Sequence, residues 1–143
     1  METLGKLRMF KADPDELGLI ANVTKLDSEA DAIDEMRRYR AAGGGTVVDA
    51  TSIGIGRNPR GLARISQESG AHVVMGAAYY EAAYHPHDTL KLDEAALAER
   101  IVRDIVDAAD DTGICAGLIG EIGLGWPVKP AELRVLAAGA RAQ

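Results

Sequence analysis

The chain has 143 residues, enough for one domain that buries about two-thirds of its unfolded surface. It is 47% hydrophobic and 27% charged with a net charge of -6. That is an ordinary globular balance, and its sign argues against the basic surface that grips a nucleic-acid backbone. No apolar run approaches the roughly 20 residues that cross a bilayer, so no membrane partner is expected. The single cysteine, Cys115, excludes an internal disulfide framework and fits a reducing cytoplasm.

Residues 1–28 read as an irregular N-terminal segment and 29–143 as one domain. Met1 to Phe10 carries Lys6 and Arg8 without a continuous apolar core, which argues against a secretory signal. Asp27 and Ser28 offer N-caps, and Ser28 with Asp31 resembles a capping box. Ile33, Met36 and Tyr39 then follow at helical spacing, and Gly43-Gly44-Gly45 stops the helix. Arg37, Arg38 and Arg40 share that helix with acidic residues and read as a solvated face. The β-branched run Thr46 to Thr51 predicts a first strand. Asn58 caps a second helix with Pro59 at its first position and Gly70 at its end. His72 to Gly76 predicts a second strand, followed by a long loop to Asp93. That residue caps a helix with Leu97, Ile101, Ile105 and Ala108 on one face. Ala116 to Ile122 predicts a third strand, and Pro130 opens a last helix through Leu133, Leu136 and Ala140.

Alternating helices and strands predict parallel βαβ units and an α/β fold. Three strands with flanking helices suit either a small open sheet or part of a (β/α)8 barrel. In either case the strand ends share one rim, which collects Asp49, Tyr79, Tyr80 and Glu121. Glu121 interrupts the apolar, glycine-rich run Ala116 to Gly123, where an ion must be paired, hydrated or metal-bound. It is therefore a carboxylate at the wet end of a strand or bonded by nearby amides, or else a metal ligand or catalytic carboxylate. Asp49 carries the same choice, with neighbouring amides as the simpler partners. Gly54-Ile55-Gly56 lacks the third glycine of a dinucleotide fingerprint and any Gly-Lys-Ser/Thr, so it reads as a tight strand-to-helix turn. Arg57 reads as solvated or paired, His85-Pro86-His87 as a surface loop rather than a metal pair, and His72 as a surface residue. Cys115 reads as inert core.

Six segments in register resemble the phosphotriesterase-like branch of the amidohydrolase superfamily over roughly residues 30–143. They are Ala42-Gly43-Gly44-Gly45-Thr46-Val47-Val48-Asp49-Ala50-Thr51, Gly54-Ile55-Gly56-Arg57-Asn58-Pro59, Leu62-Ala63-Arg64-Ile65-Ser66, Val73-Val74-Met75-Gly76, Tyr79-Tyr80 and Gly117-Leu118-Ile119-Gly120-Glu121-Ile122-Gly123. The resemblance implies a partial (β/α)8 TIM barrel carrying its second, third and fourth strands. It implies a zinc-dependent hydrolase whose binuclear metal activates a bridging hydroxide against a small-molecule ester, lactone or phosphoester. Glu121 matches the fourth-strand ligand that bridges the metals, and Tyr80 a position near the substrate pocket. The first-strand histidine pair of the family has no counterpart in residues 1–28, none of the three histidines matches a ligand position, and Ala78 replaces a glycine. The expectation is a partial family member, inactive as an isolated chain, that forms a homo-oligomer or meets a complementing chain. The alternative is a non-catalytic α/β module that self-associates or binds a protein partner.

Overall fold

The computed structural model describes residues 28–143. Helix α1 (Glu29–Ala41) starts where Ser28 accepts a hydrogen bond from the Asp31 amide at 3.2 Å, and it stops before Gly43 at φ +94°. Strand β1 (Thr46–Asp49) leads to α2 (Pro59–Ser69), capped by Asn58 and closed by left-handed Gly70. Strand β2 (His72–Ala77) is followed by two short 3-10 turns at Ala82–Tyr84 and Thr89–Lys91. Asp93 then caps α3 (Glu94–Val106) through the Ala96 amide. Strand β3 (Leu118–Ile119) and α4 (Pro130–Ala142) complete the described chain. The N-terminal segment expected over 1–28 lies, Ser28 apart, outside the described residues.

The three strands are parallel in the order β1-β2-β3, Thr46 facing His72 and Gly76 facing Leu118. Helix α1 packs on α2 and α3 on α4. The core lies between β2, α3 and α4 around Met75, Ala77, Leu97, Ile101, Val135 and Ala138. Its small residues let backbones approach closely. A Cβ at Gly76 would strike the Gly120 carbonyl oxygen, so this contact excludes every side chain.

Both outer strands are shorter than the sequence pattern predicts. Beyond Asp49 the chain turns when the Thr51 amide donates to Asp49 Oδ1 at 2.8 Å, and it meets the segment after β2 again at an isolated Ile53–Tyr79 bridge. The predicted third strand keeps two residues. Gly120 takes φ +140° and the Glu121 amide crosses to Ala50 at 3.2 Å, so the ladder ends before the carboxylate. Glu121 therefore stands in the loop after the strand rather than at its last residue. Ala108 falls beyond α3. Cys115 is exposed, its thiol turned toward the Asp107 carbonyl at 3.4 Å, which overturns its reading as core. Val48, Trp126, Leu133 and Leu136 leave large apolar side chains in solvent, Trp126 at 94% exposure.

Candidate functional site

The carboxyl ends of three parallel strands lie side by side, the place where α/β proteins assemble ligand sites. Asp49 ends β1 half-buried, with its carboxylate engaged by the Thr51 amide. Glu121 is held by its backbone. Its amide donates to the Ala50 carbonyl, and its own carbonyl accepts from buried Ser52 Oγ at 2.6 Å. The side chain is left in solvent at the rim.

Tyr80 stands beside it. Burial, then the Glu121 and Glu81 carboxylates and Tyr84, push its phenol above the ordinary value. The ring tilts against Tyr84 with centroids 5.7 Å apart. The Tyr80 loop also touches the loop beyond Glu121: Gly123 donates to the Tyr79 carbonyl at 3.3 Å. A Cβ on Gly123 would come within 2.7 Å of the Tyr80 ring. Tyr79 leaves the rim entirely. It is fully buried, its ring lies 5.8 Å from the Arg100 guanidinium, and burial raises its phenol.

The two histidines of the long loop do different things. His85 is buried with Nε2 2.8 Å from the Tyr80 carbonyl, so that nitrogen donates and braces the tyrosine loop. His87 is exposed, and His72 lies exposed at the opposite end of β2. Among the described residues no three His, Cys, Asp or Glu side chains converge as a metal group. Glu121 thus offers one donor, and these residues do not by themselves fit a binuclear zinc centre.

Two features go beyond the sequence reading. Arg57, read as solvated or paired, is paired through a buried side chain, 2% exposed, with the equally buried Asp104 side chain at 2.7 Å and with exposed Asp110 at 2.9 Å. It ties the loop after β1 to α3 and anchors the sheet rather than an anion. Glu132 is also buried, and its carboxylate accepts the amides of Ala82, Gly125 and Lys129 at 3.0, 3.2 and 2.8 Å. Only Pro130 followed two residues later by a glutamate hinted at it, because Lys129 stands where a capping box has Ser or Thr. No helix among the described residues is long and apolar enough to cross a membrane.

The model of the phosphotriesterase family matches residues 19–143. The chain is 43% identical over 119 residues to an N-acetyltaurine hydrolase of Danio rerio, covering 82% of this chain and 34% of that one. It superposes on a phosphotriesterase homology protein from Escherichia coli with a TM-score of 0.81 at 31% identity, covering 87% of this chain and 44% of the other. A lactonase from Listeria monocytogenes gives 0.74 at 25% identity over 82% and 41%. The chain spans about a third of the length of the curated relatives it matches, as three strands of an eight-stranded barrel require. By sequence and by fold, this chain belongs to the phosphotriesterase family.

Proposed function

We propose that this chain carries the Tyr80 and Glu121 portion of a small-molecule hydrolase. The observation that supports it best is the pairing of an exposed carboxylate with a half-buried phenol on two adjoining loops at the C-terminal rim. Glu121 is held only through its backbone, so its side chain remains available to a ligand. Relatives named for hydrolysing N-acetyltaurine and lactones support a substrate among small acyl compounds. An amide thereby joins the ester, lactone and phosphoester classes.

Zinc belongs to this proposal for the assembled barrel, with Glu121 as one ligand. When bound, the metal would supply an activated hydroxide. The contribution of this chain is to hold one carboxylate at the rim and to wall the pocket with Tyr80. Because the described residues offer no further converging donors, the isolated chain is expected to turn over no substrate. The exposed apolar residues Val48, Trp126, Leu133 and Leu136 favour cover by further β/α units, from a complementing polypeptide or a second copy. A reducing cytoplasm suits its single thiol.

The test is zinc content together with hydrolysis of N-acetyltaurine, a lactone and a phosphotriester by the purified chain. Less than stoichiometric zinc and background hydrolysis are expected. Two zinc ions per chain with turnover well above background would sink the proposal.

A further inference from the structure

Three short segments that share no regular secondary structure meet at one buried side chain. Glu132 lies in the first turn of α4, and only 1% of its surface reaches solvent. One oxygen accepts the Ala82 amide, two residues after Tyr80, at 3.0 Å. The other accepts the Gly125 amide, four residues after Glu121, at 3.2 Å and the Lys129 amide at 2.8 Å. These amides hold the carboxyl below its ordinary value, the Lys129 amide most of all and Ala82 next, so it is ionised at neutral pH. A buried ion with every contact spent on backbone amides serves as a tie between the chains it holds. Its neighbours agree: Gly123 bonds the Tyr79 carbonyl, and no side chain fits at Gly123 against the Glu81 amide and the Tyr80 ring.

We propose that Glu132 is a positioning residue: its carboxylate clamps the loop bearing Tyr80 to the loop bearing Glu121 and so sets the separation of the two at the rim. The clamp belongs to the geometry of the chain, and its bearing on substrate rests on the hydrolase reading above. His85 holds the same loop from the other side through the Tyr80 carbonyl. Glu132 differs in reaching both loops at once. An uncharged Glu132→Gln side chain keeps one acceptor oxygen but presents an amide to the remaining donors, so it cannot satisfy all three.

Amide hydrogen exchange of the intact chain and of Glu132→Gln tests this. The clamp predicts that the Ala82 and Gly125 amides exchange about tenfold faster or more in the variant, relative to Ile101 in the core. NOEs between the Tyr80 ring and the Gly123 α-protons, which pack against each other, add a reading that a merely structural glutamate would not move. They should weaken in Glu132→Gln while the contacts of Ile101 in the core persist. Equal acceleration at Ala82, Gly125 and Ile101 overturns the proposal, as do Tyr80–Gly123 NOEs unchanged by Glu132→Gln. Neither reading needs zinc or turnover, so failure of the hydrolase reading would show in the hydrolysis assay alone.

Discussion

Removing the Arg57 guanidinium should be among the most damaging single changes to this fold. In Arg57→Met the apolar stem remains, and the loss falls on charge. Asp104 is only 2% exposed and has Arg57 Nη1 at 2.7 Å as the one side-chain partner of its carboxylate among the described residues. Stranding a buried ion in this way costs about 3–5 kcal/mol. The Asp110 contacts at 2.9 and 3.2 Å add little, since Asp110 is 42% exposed and pairs at that exposure are worth about 0–1 kcal/mol. For a domain near this size, roughly 4 °C per kcal/mol converts the loss to about 12–20 °C in Tm. Urea unfolding followed by circular dichroism measures it, with a lowered midpoint at unchanged slope. Arg57→Met/Asp104→Leu should recover most of the loss, because two apolar side chains replace the pair without leaving an ion behind. A single variant that loses less than about 1 kcal/mol, or a double variant no better than the single, would refute the reasoning.

Other outcomes follow from the same geometry. Ala78 is fully buried at φ +120°, a conformation that costs an L-residue about 1–3 kcal/mol. Ala78→Gly relieves this at the expense of a methyl group and some chain entropy. It should be neutral to stabilising by about 1 kcal/mol in thermal unfolding, and a comparable loss would contradict the strain. Gly123→Ala should destabilise by about 1–3 kcal/mol, since its Cβ would lie 2.6 Å from the Glu81 nitrogen. It should also move the Tyr80 titration as the two loops part. The Glu132 carboxyl is depressed from an ordinary 4.5. Its contribution is therefore complete above that value and lost as pH falls through the lower folded-state value. Wild-type stability should decline below about pH 4.5, and Glu132→Gln should flatten that decline. An unchanged slope would count against the buried clamp.

Much of this arrangement could be read from the residue order, and the remainder could not for definable reasons. Ser28, Asn58, Gly70 and Asp93 mark helix ends by local chemistry, which survives into the fold. Thr46 to Asp49 and His72 to Ala77 declare themselves by β-branched runs. The third strand was overdrawn because an apolar stretch can be buried without being regularly paired, and two glycines flank the two residues that pair. Glu121 stood out because a carboxylate in apolar sequence demands an explanation. Glu132 did not, because in a helix a glutamate looks like any other until Ala82 and Gly125 arrive from fifty and seven residues away. For Arg57, read as solvated or paired, the burial and the partner Asp104 were hidden for the same reason, 47 residues apart. Cys115 was misplaced because apolar neighbours in sequence do not fix which side of the backbone faces the core.

Glu121, proposed above as a working carboxylate in a hydrolase of this family, can be tested inside a complete relative. Replacing the matched third of the Danio rerio N-acetyltaurine hydrolase with residues of this chain puts Glu121 in a whole barrel. Hydrolysis of N-acetyltaurine by that chimera, with and without Glu121→Ala, is the most direct measurement. The prediction is an active chimera that loses at least about a hundredfold, some 2.7 kcal/mol of transition-state stabilisation, when Glu121 is removed. An active chimera indifferent to Glu121→Ala would contradict it.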